Sequence, residues 1–275
     1  MATAHVRPAS SAARPPWTRH HRKIATLVLE LERRWIPLEG SRNFRDLGGY
    51  TNHEGRRVRW RHLFRADALG TLSDGDVQRV RGELGVRTVV DLRHARECAL
   101  KGTAAFADGE AVRLHHLPLN RTDVPDDDPL PEMDDLGAVY LWISRGVGPV
   151  LARVMQCIAA DDAVPLVFHC AAGKDRTGII AAVLLELLGV PDEVIVADYA
   201  LTELVGQDIR PEDRAAVFHA YQQDGPPAEA LNARPHHMVT FLEGIRTVHG
   251  SVRDYVATYG VNEPLIARLR ERLLE

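Results

Sequence analysis

The sequence contains few cysteines and few lysines, and it has no long apolar run. The three cysteines, Cys98, Cys157 and Cys170, form neither an even set for disulfide bonds nor a spacing typical of metal ligands. No apolar segment reaches the roughly 18 residues of a membrane-spanning helix. The longest segment, Ile179 to Leu188, is interrupted by Glu186. These absences predict a protein without a disulfide framework, a metal site or an integral membrane segment.

Positive charge comes almost entirely from arginine, with 31 arginines against three lysines. The net charge of −4 at pH 7 argues against nucleic acid as the main partner. A hydrophobic content of 45 % over 275 residues is sufficient for the core of one large α/β domain. Because unpaired cysteines suit a reducing compartment, we expect a cytoplasmic location.

Residues 1–23 differ in composition from the remainder of the chain. They contain five basic residues and no acidic residue, and Pro8, Pro15 and Pro16 lie among alanines and serines. They lack the apolar core of a signal peptide. We interpret them as a disordered basic tail, with a role at a lipid surface or in targeting as the alternative. A single domain is then predicted over 24–275.

Apolar periodicity and turn residues predict the order of helices and strands. Strands are expected over 24–29, 34–38, 58–63, 86–92, 112–119 and 164–168. Helices are expected over 74–84, in a long segment that ends at Ala160 and breaks near Gly146–Pro149, over 178–188, and through most of the chain after Pro191. The acidic, proline-containing segment 120–135 is predicted to be an exposed loop. This order indicates an α/β fold in which a central mixed sheet is flanked by helices, with a helical C-terminal part.

The most informative segment is residues 169–178, His-Cys-Ala-Ala-Gly-Lys-Asp-Arg-Thr-Gly. It follows an apolar run typical of a buried strand and precedes one typical of a buried helix. Cys170 is therefore expected at the carboxyl end of a strand, on a tight loop that leads into a helix N-terminus. Such a loop directs backbone N–H groups and the positive end of the helix dipole to one point, where a phosphate can bind.

The residue types in this loop fit nucleophilic attack on a phosphomonoester. Helix N-termini and nearby cations lower the pKa of cysteine thiols from about 8.5 to roughly 3.5–7.5, which favours the nucleophilic thiolate. Arg176 can hold two phosphate oxygens through its planar fork, and Thr177 is expected to hydrogen-bond the sulfur. We predict in-line attack by Cys170, followed by hydrolysis of the phosphocysteine. The residues predicted to bind the substrate are Ala171, Ala172, Gly173, Lys174, Thr177 and Gly178.

These residues resemble the cysteine-dependent phosphatase superfamily. More narrowly, the chain resembles the bacterial tyrosine phosphatases that also act on phosphoinositides, whose loop reads His-Cys-x-x-Gly-Lys-Asp-Arg-Thr-Gly. The segments 43–50 and 89–93, and the C-terminal pattern around Tyr255, extend the resemblance over about residues 35–275. The resemblance implies a phosphatase fold and catalysis without metal or cofactor. It also implies Cys170 as the nucleophile and Arg176 as the phosphate binder.

Lys174 bears on the choice of substrate. A lysine in the loop of so arginine-rich a chain is not explained by general composition. In phosphatases that the chain resembles, lysine at this position accompanies action on phosphorylated inositol lipids; the alternative is that a slimmer cation simply fits the loop. We therefore expect phosphorylated proteins, with phosphotyrosine and also phosphoserine or phosphothreonine, or phosphoinositides as substrates.

The general acid that protonates the leaving group has several candidates. Asp175 lies within the loop, matches the acidic position of the bacterial family and is favoured. Asp123 follows the predicted strand that ends at Leu119, where dual-specificity relatives carry their acid, and the adjacent run 126–128 is interpreted as a solvated loop. Asp91, at the carboxyl end of a predicted strand, is a further alternative.

Several other polar residues are given structural interpretations. Arg45 and Asp46 are interpreted as an ion pair that braces the phosphate loop, with substrate contact as the alternative. His169 is expected to orient the loop by hydrogen bonding. The pairs His115-His116 and His236-His237 are interpreted as surface or capping histidines, because no third metal ligand lies in register.

Two other classes of protein use similar loops. A rhodanese-like sulfurtransferase also carries a cysteine on an anion-binding loop, but such loops usually lack the His-Cys and Arg-Thr-Gly flanks. A catalytically silent phospho-binding module would not require Cys170, Arg176 and Thr177 together.

The helical pattern over about 202–237 is interrupted by Gly and Pro. It predicts either a helix packed on the core or a lid over the active loop, as in the bacterial phosphatases that the chain resembles.

Overall fold

The computed structural model describes residues 33–104, 106–107, 111–121, 129, 131–132, 135–206 and 232–275, with the backbone alone at 204–206. Contacts divide the chain into two compact units, Met1–Trp35 and Ile36–Glu275. The predicted tail and its boundary at residue 23, the strand at 24–29, and most of the acidic loop and of the lid segment lie outside the described residues. These assignments stay predictions.

The second unit is built on a five-stranded sheet. Its strands, in chain order, are β1 (Arg45–Asp46), β2 (Leu63–Ala66), β3 (Thr88–Asp91), β4 (Arg113–His116) and β5 (Leu166–His169). In space the order is β1-β2-β5-β3-β4, and β1 alone is antiparallel to its neighbour. The predicted mixed sheet is therefore confirmed.

The central strand β5 is buried on both faces, which explains its continuous apolar sequence. Val167 packs into a smaller hydrophobic cluster on one face of the sheet, together with Val89 of β3. Phe168 points to the opposite face and joins the larger cluster with Val90. Because β5 is enclosed in this way, the residue that follows it lies at the centre of the carboxyl edge of the sheet.

Helices cover both faces, as predicted. The described helices are α1 (Asp74–Val77, continued by π-helical turns over Gln78–Glu83), α2 (Ala95–Lys101), α3 (Leu136–Ala159), α4 (Asp175–Leu187), α5 (Asp192–Gly206), α6 (Pro235–His249), α7 (Val252–Ala257) and α8 (Glu263–Leu273). The π-helical turns after α1 supply Val80 to the smaller cluster, whereas α3 to α8 supply the larger one. After β5 every described element is helical, which confirms the helical C-terminal part.

The predicted break in the long helix is wrong, because α3 continues through Pro149 to Ala159. Its glycines serve close packing instead. A Cβ atom at Gly148 would lie 2.1 Å from a ring carbon of Tyr259, and one at Gly137 would lie 2.6 Å from the carbonyl oxygen of His237. Small residues here allow α3 to approach its neighbours, and this packing stabilises the helix around the proline.

Two predicted strands are also wrong. No strand forms over 34–38, where residue 34 is helical and Pro37 has no N–H for a ladder. The strand expected over 58–63 begins only at Leu63. Arg61 interrupts the extended backbone with a φ of 63°, and its N–H donates to Asp46 Oδ2 at 2.8 Å.

Candidate active site

The phosphate loop, defined as residues 170–174, connects β5 to α4 at the carboxyl edge of the sheet. The preceding residue, His169, lies between Ala66 of β2 and Asp91 of β3 in the strand register. The helix α4 begins at Asp175, three residues before the predicted start at Gly178. Its polar first turn was missed because only the apolar residues beyond it carry the periodic signal. Asp175, Arg176 and Thr177 therefore form the turn next to the loop.

Cys170 is 2 % exposed and lies at the start of the loop. Thr177 is fully buried, and its Oγ1 has no hydrogen-bond partner among the described residues. The predicted hydrogen bond from Thr177 to the Cys170 sulfur is thus not made in this arrangement. A buried hydroxyl without a partner is unfavourable by about 1–3 kcal/mol, so Thr177 retains a donor for a group that enters the loop.

The loop turns at Gly173, whose φ is +67°. A Cβ atom there would lie 2.7 Å from the carbonyl oxygen of Ala66 and from Asn43 Nδ2, so only glycine fits without a shift. Asn43 Nδ2 donates to Ala172 O at 2.8 Å, and Arg65 donates to Gly173 O at 2.7 Å. The loop carbonyls are therefore bonded to the surrounding protein.

Arg176 is held by Glu97, the third residue of α2. The two terminal nitrogens of Arg176 donate to the two Glu97 oxygens at 2.6 and 2.8 Å, and both side chains are buried. Burial alone would raise the pKa of Glu97, but the hydrogen bonds and charge of Arg176 outweigh it and hold that pKa below its ordinary value. Both terminal nitrogens of Arg176 face Glu97. A phosphate would be held by a different edge of the guanidinium, formed by Nε and one terminal nitrogen.

Asp175 lies next to the phosphate loop, and its side chain is 29 % exposed. Tyr140 of α3 donates to its Oδ1 at 2.5 Å, and the hydroxyl groups of Tyr140 and Tyr199 lie 2.7 Å apart. Burial and then the Asp175 charge raise the pKa of Tyr140 well above its usual range, so Tyr140 remains a donor. Lys174 Nζ lies 3.3 Å from the same carboxylate oxygen. The structure thus brings Asp175 beside the predicted nucleophile loop.

Asp91 is engaged in a buried ion pair beneath the loop. Arg93 donates to it through Nε at 2.9 Å and through a terminal nitrogen at 2.6 Å. Burial opposes ionisation, but the hydrogen bonds from Arg93 prevail and lower the pKa of Asp91 to about 2. A carboxylate fixed in this way is a poor proton donor, which argues against Asp91 as the general acid.

His169 lies beside this pair and is fully buried. Its Nδ1 is 3.2 Å from the carbonyl oxygen of Cys170, in keeping with the predicted orienting role. Burial lowers the pKa of His169 to about 4, so the ring is neutral at pH 7.

Arg45 and Arg65 converge on Asp198 of α5. Arg65 donates to Asp198 Oδ2 at 2.5 Å, and Arg45 Nε donates to Oδ1 at 3.3 Å. The ion-pair partner of Arg45 is therefore Asp198 and not the adjacent Asp46 of the predicted pair, because consecutive strand residues point to opposite faces of the sheet. Asp46 accepts hydrogen bonds from the N–H groups of Gly48 and Arg61 and organises the turn after β1.

One of the histidines interpreted as surface residues is buried. His237, at the start of α6, is 2 % exposed, whereas His236 is exposed. Burial, followed by the charges of His236 and Lys174, lowers the pKa of His237 to about 4. The interpretation failed because His237 lies among the buried residues of α6, together with Met238 and Phe241.

Some candidates cannot be located. Asp123 and the acidic run 126–128 lie outside the described residues, so Asp123 stays an alternative acid. In the described part of the chain, no three His, Cys, Asp or Glu side chains converge in a way that could hold a metal ion. No described helix is both long and apolar enough to cross a membrane.

Sequence reasoning missed four residues that hold the site, Arg65, Glu97, Tyr140 and Asp198. A local signal existed for Glu97, since it follows His94 by three residues and completes a capping box at the start of α2. Tyr140 and Asp198 lie in long apolar helical patterns, where nothing indicates which polar group faces the loop.

Comparison with known proteins identifies relatives of this chain. The triple specificity protein phosphatase PtpB of Mycobacterium tuberculosis is 28 % identical over 86 % of this chain and 98 % of its own. A tyrosine-protein phosphatase of Nostoc commune is 34 % identical over 74 % of this chain and 71 % of its own. The catalytic core of the PP-IP phosphatase SIW14 from S. cerevisiae shares 14 % identity over 69 % of this chain and 88 % of that structure, and its TM-score of 0.36 is too low to support an argument. The sequence model of the tyrosine phosphatase family matches residues 36–275. The chain therefore belongs to the tyrosine phosphatase family.

Proposed function

We propose that this phosphatase cleaves phosphomonoesters through a phosphocysteine at Cys170. The supporting observation is the juxtaposition of a buried cysteine, a loop bonded through its carbonyls, and an arginine fixed by Glu97 at a helix N-terminus. A rhodanese-like sulfurtransferase or a silent binding module would not need this combination, and the family assignment favours hydrolysis.

The reaction has two steps. The Cys170 thiolate attacks phosphorus as the bond to the leaving oxygen breaks, and Asp175 in its acid form donates a proton to that oxygen. Water then attacks the phosphocysteine, Asp175 accepts a proton from it, and the S–P bond breaks to release inorganic phosphate and the thiolate. Arg176 and the loop N–H groups stabilise the charge on the equatorial oxygens, and Thr177 donates to the departing sulfur.

The substrates proposed are phosphotyrosine in proteins and, in addition, phosphoserine, phosphothreonine or phosphoinositides. Lys174 supports the wider range, because its ammonium group lies 3.3 Å from Asp175 at the edge of the phosphate loop. The name of the M. tuberculosis relative, a triple specificity phosphatase, points in the same direction. We place the enzyme in the cytoplasm, where the free Cys98, Cys157 and Cys170 would remain reduced.

The test is a substrate panel in the presence of EDTA. The wild-type chain should hydrolyse p-nitrophenyl phosphate and a phosphotyrosine peptide without added metal, and Cys170→Ser should reduce turnover to below about a hundredth. Turnover above this level in Cys170→Ser would exclude the thiol mechanism.

Lys174 variants separate the substrate classes. Lys174→Met should lower turnover of phosphoinositide vesicles more than turnover of the phosphotyrosine peptide, because only the former carries further phosphates to contact an ammonium group. Lys174→Arg, which retains the charge, serves as the control. Equal losses on both substrates in Lys174→Met would contradict the lipid assignment.

A further inference from the structure

Two successive carbonyl groups of the phosphate loop accept hydrogen bonds from buried side chains. Asn43 Nδ2 donates to Ala172 O at 2.8 Å, and Arg65 donates to Gly173 O at 2.7 Å. Because a trans peptide group is planar, the carbonyl of one residue and the N–H of the next point in opposite directions. Holding Ala172 O and Gly173 O therefore turns the N–H groups of Gly173 and Lys174 away from these donors, toward the interior of the loop.

Both donors are organised by Asp198 on α5. Its Oδ2 accepts from Arg65 at 2.5 Å, so that one guanidinium bridges Asp198 and Gly173 O. Arg45 Nε donates to Asp198 Oδ1 at 3.3 Å, while a terminal nitrogen of Arg45 donates to the Asn43 side-chain oxygen. The Asp198 carboxylate is thus connected to Gly173 O through Arg65, and to Ala172 O through Arg45 and Asn43.

The group is almost completely removed from water. Asp198 and Asn43 are each 1 % exposed, and Arg45 and Arg65 are 0 % exposed. Because buried side chains are close-packed, we expect a change at Asp198 to alter the positions of the two arginines.

The charges reinforce the dependence on Asp198. Two buried guanidinium groups share this carboxylate; burial and then the charge of Arg65 lower the pKa of Arg45 to about 10. Arg45 is therefore cationic at neutral pH, and the two guanidinium groups repel each other. Without the carboxylate, Arg65 would lose the partner that fixes its direction, and its hydrogen bond to Gly173 O would weaken.

We propose that Asp198 is a positioning residue for the phosphate loop, which acts through Arg65 and through Arg45 and Asn43 to present the N–H groups of Gly173 and Lys174 to phosphoryl oxygens. The inference rests on the proposed function, since it assigns a role within the same site. It extends that function to a residue on a separate helix that contributes no atom to the loop itself.

The experiment is a double-mutant cycle of Asp198→Asn and Arg65→Met. For each variant, kcat/KM with p-nitrophenyl phosphate, the inhibition constant of vanadate and the thermal unfolding temperature are measured. Asp198→Asn should lower kcat/KM by about 10- to 100-fold, as expected for a lost charged hydrogen bond, and should raise the vanadate constant by a similar factor. In the Arg65→Met background the same change should have a clearly smaller effect on both quantities, because only the path through Arg45 and Asn43 remains.

Two comparisons distinguish positioning from general destabilisation. Asp192 lies on the same helix as Asp198 and forms a more exposed ion pair, with Arg246. Asp192→Asn removes that pair, and it should leave the inhibition constant of vanadate unchanged within about twofold. Asp198→Asn should also leave the dependence of rate on leaving-group pKa unchanged, since loop geometry and proton donation are separate. A lower unfolding temperature with an unchanged vanadate constant would overturn the proposal, as would additive effects in the cycle.

A second variant keeps the test decisive if Asp198→Asn fails to fold. Arg65→Lys retains the charge but cannot bridge Asp198 and Gly173 O with a planar fork, so the vanadate constant should rise in a folded protein. An unchanged constant in Arg65→Lys would overturn the proposal. Failure of the proposed function would give different results, namely no turnover by the wild-type protein or full turnover by Cys170→Ser.

Discussion

Glu97 accepts hydrogen bonds from both terminal nitrogens of Arg176, at 2.6 and 2.8 Å, within a buried pair. The carboxylate fixes the plane of the guanidinium and so determines where its remaining edge points. A phosphate-binding arginine without such a partner would lose orientation, although it would keep its charge.

Replacement of Glu97 by Gln should therefore impair catalysis without removing Arg176. The amide retains one acceptor oxygen but loses the charge, and we expect kcat/KM to fall by about 10- to 100-fold, the range for a charged hydrogen bond. Glu83→Gln provides the control, since Glu83 is exposed and pairs only loosely with Arg79 at 3.9 Å. Steady-state kinetics with p-nitrophenyl phosphate measure the effect, and a loss of less than about twofold in Glu97→Gln would show that the pair is dispensable.

The role of Asp175 predicts a characteristic change in the pH–rate profile. Asp175→Asn should flatten the basic limb and slow esters with poor leaving groups more than p-nitrophenyl phosphate, because the proton donor is lost. An unaltered basic limb in this variant, together with a flattened one in Asp123→Asn, would assign the acid to Asp123 instead.

Tyr140 provides an independent test of the same assignment. Its hydroxyl donates to Asp175 Oδ1 at 2.5 Å and holds the carboxyl group in place. Tyr140→Phe should then slow esters with poor leaving groups more than p-nitrophenyl phosphate, because a less well oriented carboxyl group is a less effective proton donor. Tyr255→Phe is the matched control, because it removes a buried hydroxyl bonded to Ser144 O rather than to Asp175. Equal effects of Tyr140→Phe on good and poor leaving groups would contradict the coupling.

Buried histidines predict a loss of stability in mild acid. The pKa values of His169 and His237 are both lowered to about 4 by burial, whereas a histidine in an unfolded chain titrates near 6.5. Below about pH 6.5 the unfolded chain binds protons that the folded chain does not, so stability is fully present above this pH and decreases toward pH 4.

His237→Gln should remove part of this dependence. We expect the decrease in unfolding free energy between pH 7 and 5 to be smaller by about 1–2 kcal/mol than in the wild type. His236→Gln, which alters the exposed neighbour, should keep the wild-type slope. Denaturant unfolding at both pH values gives the answer, and an unchanged slope in His237→Gln would refute the assignment.

Cys98 is predicted to be unreactive although its sulfur lies 3.6 Å from Asp91 in the region of the site. Burial and the Asp91 charge raise the pKa of this thiol, which disfavours the thiolate. Inactivation by iodoacetamide should therefore proceed at the wild-type rate in Cys98→Ser, with label on Cys170 in peptide maps. A markedly slower inactivation of Cys98→Ser would show that Cys98 reacts first.

The reactive loop could be predicted from the sequence because its signals are local. Cys170, Asp175 and Arg176 lie within one strand–loop–helix segment, and the apolar runs on either side define the geometry in which they meet. The alternation of Val167 and Phe168 between two clusters also follows from strand periodicity alone.

The supporting residues could not be predicted, because they are distant in sequence. Glu97 lies 79 residues before Arg176, and Asp198 lies 133 residues after Arg65. The chain has 38 acidic residues. The capping box marks Glu97 as a helix-capping residue, but nothing local shows that it or Asp198 becomes buried beside an arginine. The false break in α3 has a related cause, since Gly148 is small to admit the ring of Tyr259 from another part of the chain.

The central claim is that the phosphoryl group passes through Cys170, and trapping of the intermediate tests it most directly. Wild-type protein is mixed with a large excess of p-nitrophenyl phosphate, quenched in acid during turnover, digested and analysed by mass spectrometry. The account predicts one phosphoryl group on the peptide that contains Cys170, with a larger trapped fraction in Asp175→Asn if breakdown of the intermediate is slowed. A phosphoryl group on another residue, or turnover without any phosphorylated peptide in either protein, would contradict it.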